Sequence, residues 1–138
     1  MSEEQVQALL QQMQALESYL ADLLQKEEAV MKLLHEATGA IESMKALNGD
    51  EKLETLVPVG IGAYVKATIQ PNEKMVINIG AGASIEHDKN STINYIEERI
   101  KELEIVLQQL SGQKHEVTAR LEQGQREMNR MIQASKSN

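Results

Sequence analysis

The chain has 138 residues, of which 41% are hydrophobic, but only three are aromatic and none is Phe, Trp or Cys. This apolar content is too high for a disordered chain, and the lack of Cys excludes disulfides, thiolate metal sites and cysteine nucleophiles. The formal net charge is −7 and no stretch is strongly basic, which argues against nucleic acid as a partner. No apolar run is long enough to span a membrane and no signal-peptide pattern is visible, so we expect a soluble cytoplasmic protein without a membrane partner.

The first third of the chain repeats apolar residues every 3.5 positions, which is the spacing of a coiled coil. With Val6 as heptad position a, eleven of the twelve a and d positions up to Met44 are apolar, and the exception is Glu27. Gly39 is a weak point in this pattern, and the turn-forming residues 48–50 mark the expected end of the helix. The pattern predicts one long helix within residues 1–49.

The last third of the chain has the same period. From Ile93 to Met131, ten of the twelve a and d positions are apolar, and the exceptions are Lys114 and Gly124. Residues 90–92, Asn-Ser-Thr, supply candidate N-caps. The pattern predicts a second long helix within residues 90–138.

Between the helices the apolar period changes to 2, which is typical of strands. Four short strands are predicted, at residues 56–59, 63–69, 75–79 and 83–86. Residues 70–73 form a turn between the second and third strands. Because residues 59–65 are closely matched by residues 79–85, we predict two hairpins with equivalent glycine bends.

These elements predict an α+β fold in one domain, residues 1–138. Two helices, within residues 1–49 and 90–138, form a long antiparallel coiled-coil hairpin, and two short β-hairpins lie at its closed end within residues 50–89. Such a small strand region cannot bury a core by itself, and its outer strands leave backbone groups unpaired. We therefore expect several subunits to combine their strands in an obligate oligomer. The apolar strand residues expected at this contact are Val57, Val59, Val65, Ile69, Val76, Ile77, Ile79 and Ile85.

The two polar exceptions, Glu27 and Lys114, lie at similar distances from the strand region. Antiparallel helices would bring them together, and their ion pair would fix the register. Alternatively, both long side chains reach solvent separately. The sequence leaves these two alternatives open.

Apolar residues also continue to the free ends of both helices, and the first helix has further apolar e positions at Leu10, Leu24 and Met31. These ends are either ordinary packing of the coiled coil or a surface for apolar partners, for which flexible Met side chains are suited. The candidate partner-binding residues are Val6, Leu9, Leu10, Met13, Met128, Met131 and Ile132.

Motifs for catalysis and for cofactors are incomplete. Gly60-Ile61-Gly62 and Gly80-Ala81-Gly82 lack the third glycine and the following helix of a dinucleotide site. His35, His87 and His115 have no metal-ligand spacing. We expect a protein that is not an enzyme and has neither cofactor nor metal.

Residues 56–66, with the sequence LVPVGIGAYVK, resemble the LVPVGxGxxxK-type segment of alpha-class prefoldin subunits. Residues 76–82, VINIGAG, resemble the second glycine-containing segment of the same subunits. Two hairpins favour the alpha class over the beta class, which has one, and the LVPVG form is most similar to archaeal alpha subunits.

The resemblance implies a prefoldin-type, ATP-independent chaperone, or holdase. Its subunits form a hexamer of two alpha and four beta subunits, in which the strands build an oligomeric β-barrel. Coiled-coil tips capture non-native polypeptides and pass them to a group II chaperonin, with no cofactor. The alternative is a structural coiled-coil scaffold or adaptor that binds one dedicated partner. The two readings differ in whether the apolar helix ends bind diverse clients.

Overall fold

The computed structural model describes residues 3–47, 51–70 and 72–136. Its elements in chain order are α1 (Glu3–Ala46), β1 (Leu53–Gly60), β2 (Ala63–Ile69), β3 (Met75–Gly80), β4 (Ala83–His87) and α2 (Lys89–Lys136). The predicted long helices and short strands are confirmed, although β1 begins earlier than expected. Gly39 does not interrupt α1. The expected helix end at residues 48–50 lies outside the described residues.

The chain divides into two compact units. Of the described residues, the helical unit contains 3–33 and 103–136, which are the first part of α1 and the later part of α2. The hairpin unit contains residues 34–102, with the four strands, the end of α1 and the start of α2.

The predicted coiled-coil seam is the interior of the helical unit. Every a and d position of its two helices is buried or half-buried, and the centre consists of Leu23, Leu110 and Val117. Half-buried side chains of the same seam pack against this centre: Leu16, Leu20, Val30 and Leu121. The 3.5-residue spacing keeps one face of each helix turned towards the other, so the pattern alone identified the core.

The two helices of this unit are antiparallel. Met13 of α1 lies beside Gly124 of α2, whereas Glu27 is paired with Lys114. Partner numbers on α2 therefore fall as residue numbers on α1 rise, as a coiled-coil hairpin requires. The paired arrangement of Glu27 and Lys114, one of the two alternatives that the sequence left open, is confirmed.

In the hairpin unit, α2 is capped by Asp88 and not by any of the expected residues 90–92. The Asp88 carboxylate accepts a hydrogen bond from the Ser91 N–H at 2.7 Å, and the Asp88 carbonyl accepts one from the Thr92 hydroxyl at 2.8 Å. The expected caps were wrong because Ser91 and Thr92 lie inside the first turn, where they donate to the cap. A carboxylate before this turn accepts a free N–H and is favoured by the helix dipole.

Both β-hairpins close through two-residue turns of the same geometry. β1 pairs antiparallel with β2 through Ile61-Gly62, and β3 pairs antiparallel with β4 through Ala81-Gly82. All four turn residues have positive φ, as a type I′ turn requires. A register irregularity precedes each turn, at Val59 and at Ile79. The internal repeat in the sequence is therefore a repeat of one hairpin structure, as predicted.

The two hairpins are separate two-stranded sheets, and within the described ranges β2 is not paired with β3. The predicted turn between them is present: the Glu73 N–H donates to the Gln70 carbonyl at 3.3 Å, and Asn72 has a φ of 62°. Each strand therefore has one paired edge and one edge without a partner in the part of the chain that the structure describes.

Candidate functional site

The hairpin unit leaves most of its apolar strand residues uncovered. Of the eight predicted assembly residues, Ile69 and Ile77 are half-buried. The others are exposed: Val57, Val59, Val65, Val76, Ile79 and Ile85. Exposed apolar side chains on two-stranded sheets are characteristic of a surface that another chain covers, because an isolated hairpin is marginally stable in water.

Four further large apolar residues of the first hairpin are exposed and were not among the predicted assembly residues: Leu53, Leu56, Ile61 and Tyr64. Ile61 is fully exposed at the turn, where its φ of 48° is unusual for a β-branched residue. Tyr64 could have been noticed from the sequence, because it is one of only three aromatic residues in the chain. The position of Ile61 in a glycine-rich bend concealed it, because bends usually carry polar residues.

At one end of the helical unit, where α1 begins and α2 ends, lie the residues predicted to bind partners; we call this the terminal end. Leu10 and Ile132 are each 47% exposed. The other accessible members of the predicted set are half-buried: Val6, Leu9, Met128 and Met131. The terminal end therefore presents apolar surface while its seam stays packed.

Met13 differs from the other predicted residues of the terminal end, because it is only 9% exposed. A Cβ atom placed on Gly124 would lie 3.1 Å from Met13 Cγ and 3.2 Å from its Sδ. Met13 is therefore buried in the seam, unlike the other residues of the predicted partner-binding set. Gly124 has no side chain, so the long Met13 side chain fills the space that a residue at this d position would occupy.

An open groove of about 230 Å³ adjoins this contact. Its lining includes the apolar residues Leu9, Met13 and Leu16 and polar residues such as Gln12 and Arg120. Gly124 also lines the groove, so the groove borders the contact between Met13 and Gly124.

The sides of the helical unit also have exposed apolar residues. Leu24 and Met31, which the heptad pattern placed beside the seam, are 47% and 55% exposed. Leu33 and Ile105 are exposed as well and were not anticipated. Leu24 therefore matches Leu10 in residue type, heptad position and exposure, but lies away from the terminal end.

The polar pair in the seam is partly shielded from water. Lys114 Nζ lies 3.1 Å from Glu27 Oε1 and 3.0 Å from Glu27 Oε2, and the two side chains are 31% and 20% exposed respectively. The ammonium group therefore contacts both carboxylate oxygens. This geometry suits an interaction that fixes the register of the helices.

Within residues 3–47, 51–70 and 72–136, no three His, Asp or Glu side chains are placed to hold a metal ion. Hydrogen bonds from Ser91, first its backbone N–H and then its side chain, lower the pKa of the Asp88 carboxyl below its ordinary value. This shift comes from helix capping and not from a reaction centre. No helix in the described part of the chain combines the length and apolarity needed to cross a membrane.

Residues 2–134 match a family model described as prefoldin subunit. The prefoldin subunit alpha of Nitrosopumilus maritimus is 48% identical over 134 residues, which cover 97% of this chain and 92% of that protein.

The solved structures that are similar to the chain include the following two. The crystal structure of the prefoldin beta subunit from Thermococcus strain KS-1 has a TM-score of 0.65 at 20% identity, covering 92% of this chain and 91% of that one, and supports the fold alone. The filamentous PFD from Methanocaldococcus jannaschii has a TM-score of 0.53 at 27% identity, covering 88% of this chain and 96% of that one.

Proposed function

Because this chain belongs to the prefoldin family, whose members are chaperone subunits and not enzymes, we propose that it is an alpha subunit of an ATP-independent holdase. It captures non-native polypeptides at the terminal end and passes them to a group II chaperonin. It acts in the cytoplasm and needs neither a cofactor nor a catalytic group.

Assembly is the first part of this proposal. The whole chain acts as one domain, and its hairpins join those of prefoldin beta subunits in a complex of two alpha and four beta subunits. The six exposed residues among the predicted assembly residues support a shared β-barrel, because their apolar side chains need a cover. The unpaired strand edges support it too, since a barrel pairs them.

Client capture rests on one observation: two large apolar side chains, Leu10 and Ile132, are each 47% exposed at the terminal end. Covering the exposed half of such a side chain contributes about 1 kcal/mol. A single terminal end therefore binds weakly and with little sequence preference. Several terminal ends in one complex hold a client by avidity, and no nucleotide is needed to release it.

Assembly is tested by mixing the chain with prefoldin beta subunits and measuring the mass of the complex by light scattering. The wild type should give the mass of two alpha and four beta chains. Val65→Lys and Val76→Lys should prevent assembly, because each places a charge on an exposed apolar strand residue. Ile105→Lys is the matched control in the helical unit and should assemble normally. A wild-type chain that stays monomeric would contradict the assembly proposal.

Client capture is tested by suppression of aggregation of several unrelated unfolded proteins. Leu10→Ser with Ile132→Ser should weaken suppression, whereas Leu24→Ser with Met31→Ser should leave it unchanged although those residues are equally exposed or more so. Equal effects of both variants would show that the terminal end has no special role. Failure of the assembled wild type to protect any of the clients would favour the scaffold function.

A further inference from the structure

Oxidisable sulfur in this chain is found only in methionine, because the sequence has seven Met and no Cys. Three of the methionines lie at the terminal end: Met13, Met128 and Met131. Within the described residues the remaining methionines lie elsewhere, at Met31, Met44 and Met75. The surface with the proposed binding role is thus also the place where thioethers are concentrated.

The terminal methionines differ in how easily an oxidant reaches them. Met128 and Met131 are half-buried and lie one turn apart on α2, so they share one face of the helix. Met13 is 9% exposed, but it lines the open groove beside Gly124. Met44, in the hairpin unit, is 7% exposed. We therefore expect Met128 and Met131 to react before Met13, and Met13 before Met44; Met31, which is 55% exposed and lies away from the terminal end, should react at least as fast as Met128 and Met131.

We propose that Met128 and Met131 form an oxidation-sensitive modification site, at which hydroperoxides reversibly switch off client capture. The inference rests on the proposed function of the terminal end, but the reactivity of the site does not depend on that function.

The chemistry needs only the thioether and the oxidant. The Met sulfur attacks one oxygen of the hydroperoxide, the O–O bond breaks, and a sulfoxide forms. Sulfur loses two electrons, and hydrogen peroxide is reduced to water. In the reverse reaction, methionine sulfoxide reductase with a dithiol reductant removes the oxygen as water and leaves a disulfide on the reductant.

Oxidation changes the property on which capture depends. The sulfoxide replaces a flexible apolar group with a polar one, so water binds where an apolar client side chain would otherwise lie. Oxidation of Met13 has a separate effect, because its sulfur lies so near Gly124 that a Cβ atom placed there would be only 3.2 Å away. That slower reaction weakens the helix contact and does not alter the exposed surface.

The experiment treats the assembled complex with hydrogen peroxide and follows each methionine by peptide mass mapping. Sulfoxide should appear at Met128 and Met131 well before Met44. At that stage client binding should be about tenfold weaker, since two apolar contacts have become polar. Treatment with methionine sulfoxide reductase and dithiothreitol should restore it.

Two variants make the test specific. Met128→Leu with Met131→Leu keeps the size and apolarity of both side chains but cannot be oxidised at these two positions, so its capture should be the same after treatment as before, whatever its level before treatment. Met31→Leu removes a methionine that is 55% exposed and lies outside the terminal end, and after treatment this variant should lose capture like the wild type.

Three results would overturn the inference: Met128 and Met131 oxidised no faster than Met44, full capture by protein carrying both sulfoxides, or equal loss in the double Leu variant. If untreated wild type captures no client, the proposed function fails, and the order of oxidation still judges the modification site by itself.

Discussion

The ion pair between Glu27 and Lys114 allows the antiparallel register to be tested directly. Charge reversal at either position, Glu27→Lys or Lys114→Glu, places two like charges in the seam. The exchanged double variant restores opposite charges at the same place. If the register is as the structure has it, the double variant should be more stable than either single one.

The geometry sets the size of the effect. Nζ of Lys114 lies 3.0–3.1 Å from both carboxylate oxygens of Glu27, so the charge centres are about 4 Å apart. In partly screened surroundings such a pair attracts by about 4 kcal/mol. Desolvation and the ordering of two long side chains offset most of this, which leaves about 1 kcal/mol of net coupling. Each single reversal loses that coupling and adds a repulsion of similar size, so it should cost about 2 kcal/mol.

The assay is urea unfolding followed by far-ultraviolet circular dichroism, with the protomer concentration held fixed because assembly contributes to stability. The exchanged variant should recover to within about 0.5 kcal/mol of the wild type. A matched control is the pair Glu116 and Arg120 on α2, which is 2.9 Å apart but more than half exposed on both sides. Charge reversal at either residue of this control pair should change the free energy of unfolding by less than about 0.5 kcal/mol.

The reasoning is refuted if the exchanged variant is no more stable than the single reversals. That result would mean that the two residues do not face each other in solution. A second test replaces both Glu27 and Lys114 by Leu, which makes the apolar seam continuous at this position. We expect this variant to be more stable by about 1 kcal/mol and to hold its register less strictly.

The remaining predictions concern a cap, two glycines and a turn. Asp88→Ala should lower the melting temperature at neutral pH. Because the cap lowers the pKa of Asp88, the stability that the cap contributes is complete above about pH 4 and is lost as the pH falls through the native pKa. A difference in melting temperature between variant and wild type that persists at low pH would contradict this, and so would an equal fall in melting temperature in Asp88→Asn. Gly112→Ala should raise the free energy of unfolding by about 1 kcal/mol, because there is open space around Gly112. Gly124→Ala should raise it by less, because the new Cβ meets Met13. Urea unfolding measures both values, and the opposite ranking would be inconsistent with the contact between Met13 and Gly124. Ile61→Asn should stabilise the first hairpin by about 1 kcal/mol, because Asn tolerates the positive φ of this position. Hydrogen exchange of the hairpin amides in the unassembled chain measures this stability. Faster exchange in the variant than in the wild type would show that the turn is not strained.

Much of the fold was predictable because it depends on local repetition. The residues that the heptad pattern assigned to a and d positions are all buried or half-buried in the described helices, including Glu27 and Lys114. The matching segments 59–65 and 79–85 predicted two equivalent hairpins. The same short region carried the resemblance to prefoldin alpha subunits, because its glycines and apolar residues are spaced by the hairpin geometry.

The candidate sites were only partly predictable. The sequence identified the apolar strand residues and the terminal end, but it did not separate Met13 from its accessible neighbours. It also left the ion pair open, and it named the wrong cap for α2. The cap of α2 was not predictable because several neighbouring residues can serve as caps. In the structure the Asp88 carboxylate accepts the hydrogen bond from the Ser91 N–H, and residues 90–92 are not caps.

The sequence by itself determined which face of each helix is apolar, where the strands turn and which family the chain resembles, since periodicity and turn chemistry act over a few residues. Only the tertiary structure decided that Gly124 receives Met13 and that Glu27 meets Lys114. The physical reason is that one helix defines its own surface, whereas the space and the charge that each residue meets depend on the register of a second helix from a distant part of the chain.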